Sequence, residues 1–214
     1  MRPRDALWHA LRDFYEQSWR LVAVNAALGT ALVASVLAGL AFPPAAEHLI
    51  AVGPIAAALV HCAVTLVRTG DLSFADAWDG LRLHWRRGVV LGAAGAMLLV
   101  LGILAIRVYA GSPLWPLAFL AVYVLVLLGI YELFLWTLAI AWRERALGAV
   151  ARDTLAIVAA RLPAALALGL ALLLVNAAGV AAAVMPFLTL TVAYTFLATA
   201  HFLLEPEPLE EDTA

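Results

Sequence analysis

The stretch Gly88–Tyr109, GVVLGAAGAMLLVLGILAIRVY, has one charged residue, Arg107, near its end and is long enough to cross a bilayer as a helix. After a short Ala110-Gly111-Ser112-Pro113 break, Leu114 to Trp142 is apolar again except for Glu132. Two such runs joined by a Gly/Pro turn read as a transmembrane helical hairpin. Working outward, the same reading gives Leu21 to Phe42, Leu49 to Val67, Leu162 to Ala183 and Pro186 to Leu204, six spans in all. The last two form one apolar run interrupted mainly at Met185-Pro186, too long for one crossing, so a tight hairpin is expected there. The fold class expected is an all-α membrane protein, with residues 1–204 as a single integral membrane domain and 205–214 as an acidic, disordered tail.

Composition agrees with this reading. Hydrophobic residues make up 65% of the chain and charged residues 13%, far from the balance of a soluble domain. Every basic residue is arginine, a compositional bias to which no mechanism is attached. The arginines fall in three groups: Arg2, Arg4, Arg12 and Arg20; Arg68, Arg82, Arg86 and Arg87; Arg143, Arg145, Arg152 and Arg161. Only Arg107 falls at the opposite span ends, so the positive-inside rule places both termini in the cytoplasm, with an even span count. Met1 to Arg20 mixes charges with aromatics and has no continuous apolar core, which does not read as a signal peptide. The lone Cys62 reads as a small buried hydrophobe. The net charge of −2 gives no reason to expect a nucleic-acid partner. The bilayer is the one partner expected from composition.

Between the second and third expected spans, Phe74, Trp78, Leu81 and Trp85 recur at i, i+4, i+7 and i+11, with Asp76, Asp79, Arg82 and Arg86 on another face. That pattern predicts an amphipathic helix over Ser73–Arg87, lying along the cytoplasmic surface, its start fixed by a capping box from Ser73 and Asp76. Leu7, Leu11, Phe14, Tyr15 and Trp19 form a similar stripe before span one, as do Leu147, Ala151, Leu155 and Val158 before span five. The architecture expected is three hairpins, each preceded by a cytoplasmic amphipathic helix, with Arg20, Arg87 and Arg161 snorkelling to headgroups where each in-plane helix turns into the membrane.

Ionisable groups at bilayer depth need a reason to be there. Glu132, ten residues before Trp142, falls roughly 15 Å from the inner boundary. His61 lies in the inner half of span two, and Asn25 and His201 lie near the inner ends of spans one and six. These four are the candidate polar site: converging, they would line an inner-facing cavity, suited to a proton relay or a substrate hydrogen bond, while separate they would hold helices together. Asn176 and the threonines of span six read as helix-to-helix or own-backbone bonds. Gly88, Gly92 and Gly95, with Ala96, offer a small-residue face for internal packing. His84, beside Trp85 and Arg86, reads as interfacial. The chain lacks H-E-x-x-H, G-x-S-x-G, C-x-x-C and Walker signatures, so no catalytic residue, cofactor or metal is expected.

Gly53-Pro54-Ile55-Ala56-Ala57-Ala58, Arg68-Thr69-Gly70-Asp71, Phe74-Ala75-Asp76-Ala77-Trp78, Leu83-His84-Trp85-Arg86-Arg87-Gly88 and Arg161-Leu162-Pro163-Ala164 together resemble the YesL-like family of bacterial membrane proteins, over about Val24 to Leu204. The resemblance implies a compact multi-span protein, a domain of unknown function, with an accessory role beside a carbohydrate ABC-type permease. One departure is that Asn25 is followed by Ala26, Ala27 and Leu28, where many relatives carry a tryptophan. The function expected is therefore that of a non-catalytic accessory or assembly partner in the membrane, the alternative being a small-solute or proton-coupled transporter using Glu132 and His61.

Overall fold

The computed structural model describes residues 2–16, 18–41, 52–182 and 190–204. Among the described residues the regular elements are helices: α1 (Pro3–Glu16), α2 (Ser18–Ala41), α3 (Val52–Thr69), α4 (Phe74–Ala110), α5 (Pro116–Ala141), α6 (Leu147–Ala160), α7 (Leu162–Ala182) and α8 (Val192–Leu203). Four of them, α3, α4, α5 and α7, are long and apolar enough to cross a membrane. The helix α2 covers the first expected span, and α8 is a shorter apolar helix within the sixth. The expected outer turn at 43–48, the Met185-Pro186 break and the acidic tail lie outside the described residues.

The segment between α3 and α4 shows how local sequence sets the chain's path. Gly70, at φ 74°, takes the left-handed conformation that ends a helix, and its N–H bonds to Leu66 O at 2.9 Å. Thr69 Oγ1 donates to Thr65 O and accepts from Asp71 N, which holds the next residues in place. Leu72 is then buried, and Ser73 opens α4 with the expected capping box: its N–H donates to Asp76 Oδ2 at 2.6 Å. The Ser73 hydroxyl also accepts from Ala75 N at 3.3 Å.

From there the structure corrects the expected architecture. No joint separates an in-plane helix at Ser73–Arg87 from a span at Gly88–Tyr109. Phe74–Ala110 is one helix of 37 residues, about 55 Å long, against a hydrocarbon core of about 30 Å. The physical reason is the absence of any breaker: Arg86-Arg87-Gly88-Val89 contains no proline, and Gly88 is held against another backbone, so the hydrogen-bond ladder runs through. Amphipathic helices α1 and α6 are separate elements, as expected, although their buried faces centre on Ala6 and Ala10 and on Val150 and Thr154 rather than on the larger residues. Leu11, Tyr15, Trp19 and Leu155 are exposed.

Two of the three arginines expected to snorkel are engaged with protein instead. Arg20 pairs with Asp71 at 3.0 Å and lies over the Trp19 ring. Arg87 donates to the carbonyls of Ala139, Trp142, Arg143 and Arg145. Those groups sit at the C-terminal end of α5, where carbonyls lack intrahelical partners and the helix dipole favours a cation. Arg68 adds a longer bond to Ala141 O at 3.4 Å. The end of α5 is thus held by guanidinium groups from α4 and α3.

The helix α3 is the hub. Leu59, Cys62, Ala63 and Leu66 belong to the main core, together with Ala6 and Ala10 of α1, Phe134 of α5, Leu168 and Leu172 of α7, and Leu197 and Phe202 of α8. Cys62 is buried and free, as expected. On its other side α3 meets α4 backbone to backbone: a Cβ on Gly53 would lie 2.3 Å from Gly88 O, and one on Gly88 would lie 2.6 Å from Gly53 O. A Cβ on Gly92 would lie 3.1 Å from the Gly53 Cα, and one on Gly80 would lie 2.9 Å from the His61 side chain. Small residues permit this approach, and close packing drives helix association where water is absent. The internal-packing role expected of Gly88 and Gly92 is what the structure places there, whereas Gly95 faces Glu132.

Candidate functional site

Of the two arrangements open to the four candidate polar residues, converging on one cavity or standing apart, the structure shows the second. His61, in α3, lies against His84 of α4, with ring centroids 5.2 Å apart. His201, in α8, bonds Asp13 of α1, Nε2 to Oδ2 at 2.8 Å, and its ring lies 5.8 Å from that of His9. Nearby, Tyr194 Oη donates to Leu7 O at 3.0 Å, and Phe14 packs edge-on to Tyr194, so His201 belongs to the contact that docks α1 on α8. Asn25, in α2, is buried, and neither its Oδ1 nor its Nδ2 has a hydrogen-bond partner among the described residues. Glu132, in α5, is partly buried; its Oε2 is enclosed, has no partner, and lies 3.9 Å from where a Cβ on Gly95 would stand.

Glu132 and His61 do not meet. The cavity beside His61 is bounded on the α5 side by Ile140 and Ala141, eight and nine residues beyond Glu132, or roughly 12–14 Å along the helix. The reason is the placement of α4: its glycines draw it against α3 at the level of His61 and His84, while the deeper Gly95 gives room to the carboxyl from α5.

The expected interfacial stripe is real as a helix face; its Phe74 ring meets Trp19 with centroids 5.0 Å apart, and most of the rest of the face points away from the protein. Phe74, Trp78 and Trp85 are exposed and Leu81 is partly so. The buried seam of α4 is Gly80, His84, Gly88 and Leu91. At about 100° per residue this seam is centred about 90° around the helix from the Phe74, Trp78, Leu81 and Trp85 stripe. His84 is therefore not interfacial, as expected from its neighbours, but buried at 2% exposure between α4 and α3. Its position on the Gly80–Gly88 seam was the available signal.

At this end of α3, α4 and α5 a cavity of ≈ 270 Å³ is lined by His61, Val64, Thr65, Arg68, Thr69, Leu83, His84, Ile140, Ala141 and Arg143. Arg68 and Arg143 form no ion pair among the described residues. Both contribute positive potential at His61, opposed by Asp76 and Asp79 from the first turns of α4. Arg143 and Arg87 contribute it at His84. His84 Nδ1 is enclosed and has no hydrogen-bond partner. Among the described residues no three His, Cys, Asp or Glu side chains converge as metal ligands.

The remaining intramembrane polar groups behave as expected of helix-to-helix bonds. Asn176 Nδ2 donates to Leu172 O and to Thr195 Oγ1 at 2.7 Å, joining α7 to α8, and Thr195 and Thr199 donate to carbonyls one turn back. Compared with known proteins, the chain matches no family model, no curated protein and no solved structure.

Proposed function

We propose that the chain is a six-span, non-catalytic protein of the bacterial inner membrane, with both termini cytoplasmic, acting as an accessory or assembly partner of another membrane protein. The resemblance to YesL-like proteins gives the class of that partner, a carbohydrate ABC-type permease. The observation that carries the reading is the α4–α5 hairpin. Of its most apolar stretches only 6% in α4 and 11% in α5 are buried within the chain. Lipid covers such a surface as well as protein does, but it offers no donor to a carboxyl. Glu132 stands on this hairpin, partly exposed, and a polar group from a neighbouring helix would meet the accessible part of its side chain.

Transport by a Glu132–His61 relay has less support, since the two side chains lie in different places along the helices. The decisive experiment is purification in mild detergent from cells carrying wild-type, Glu132→Gln or Glu132→Leu protein. A permease subunit recovered in fixed ratio with the wild type and the glutamine variant, and lost from the leucine variant, is the expected result. A solitary wild-type protein, or gradient-driven uptake into proteoliposomes that a folded Glu132→Gln abolishes, would overturn the reading.

A further inference from the structure

The cavity between α3, α4 and α5 is built from different residues than the hairpin wall, and its chemistry is that of an anion site. Arg68 and Arg143 approach it from α3 and from the turn after α5, neither neutralised by an ion pair among the described residues. His61 and His84 add two imidazoles, and Thr65 adds a hydroxyl. His84 Nδ1, enclosed and without a hydrogen-bond partner among the described residues, is a second observation at this cavity, because a buried polar nitrogen left unbonded is costly. Against an anion stands the C-terminal end of α5, with its partial negative charge. That end is covered: Arg87 bonds the carbonyls of Ala139 and Trp142 there, and of Arg143 and Arg145 in the turn beyond, while Arg68 bonds that of Ala141. The nearby carboxylates are Asp76, which accepts from Ser73 N, and Asp79, which is exposed.

We propose that this cavity binds a phosphate group, held between the guanidinium groups of Arg68 and Arg143, with His84 and His61 as additional hydrogen-bonding partners. The planar guanidinium fork matches phosphate oxygens, and charge-assisted bonds of this kind are the strong ones. The volume suits a headgroup or a small phosphate compound rather than a drug-sized ligand. The arginine-rich end of the bundle is also where headgroup phosphates would lie, so the phosphate can come from a lipid or from solution. This assignment does not depend on the accessory reading.

The test uses the full chain in a neutral maltoside detergent. Inorganic phosphate binding is measured by calorimetry, and retention of phosphatidic acid from mixed micelles is measured by native mass spectrometry. Arg143→Gln is the principal variant: its side chain is exposed, and it is the Arg143 backbone carbonyl, not the guanidinium, that holds Arg87, so the fold should survive. A His84→Gln variant and thermal unfolding of all samples accompany it. Binding of inorganic phosphate weakened at least about ten-fold in Arg143→Gln identifies a soluble source. No heat with inorganic phosphate, but retention of phosphatidic acid reduced by about the same factor, identifies a lipid source. A stable wild type that binds neither probe, or a folded Arg143→Gln that binds both as the wild type does, overturns the proposal.

Discussion

Helix α3 and the α4–α5 hairpin are both apolar enough to span a membrane, yet 56% of the best window of α3 is buried in the protein against 6% and 11% for the hairpin helices. The hub is the helix with three successive alanines, Ala56 to Ala58, and with His61 and Cys62 in its middle, while the hairpin carries the long runs of leucine, valine and isoleucine. In water the order would be reversed, with the greasiest segment innermost. In a bilayer the lipid tails are as apolar as leucine, so large aliphatic residues gain nothing by leaving them, and small residues that allow close packing mark the interior.

If that contrast is right, substitutions should sort by contact and not by hydrophobicity. The largest effect is expected at Gly88→Val, whose side chain would strike the Gly53 backbone; thermal unfolding in detergent should show a loss of about 3 kcal/mol or no folded protein at all. Gly129→Ala, on the hairpin, where an added Cβ meets nothing within 4 Å, should stay within about 0.5 kcal/mol or gain slightly in helix propensity. Equal effects at the two sites would break the comparison. Next comes Arg87→Ala, which leaves the α5 carbonyls bare and should cost about 2 kcal/mol, while exposed Arg86→Ala stays within about 0.5 kcal/mol. The smallest contrast is Leu59→Ala against Leu101→Ala. Buried Leu59 loses its packing partners, about 1.5 kcal/mol, whereas exposed Leu101 exchanges one apolar contact for another, under about 0.5 kcal/mol. A larger loss at Leu101 in the purified protein would place that side of α4 in a protein interface instead of lipid.

What could be read from the residues was local. The Ser73–Asp76 cap lies within one helical turn, and Gly88 and Gly92 share a face at a spacing of four, so both signals are confined to a few letters. Partners across the bundle carry no such signal. Nothing near Gly88 names Gly53, and nothing near His201 names Asp13, 188 positions away. The four carbonyls that hold Arg87 are invisible for a deeper reason, since every residue has one and side-chain identity says nothing about which are left unbonded. The candidate site suffered most from this. Polar residues were matched by depth in the membrane, but the glycines that set how closely helices approach decided which of them meet. His84 was misjudged from its sequence neighbours, when the residues four before and four after it, Gly80 and Gly88, described its surroundings better.

The arginine clasp also has a consequence in time. The carbonyls that receive Arg87 lie 52 to 58 residues further along the chain. At a synthesis rate of about 5–20 residues per second, the guanidinium leaves the ribosome roughly 3–12 s ahead of its acceptors. Through that interval α4 must keep Arg87 solvated by water or headgroups, which retains its N-terminal part on the side of synthesis. Closure then requires the far end of α5 to return to that same side. An α5 whose far end failed to return there would leave both the cation and the carbonyls unsatisfied.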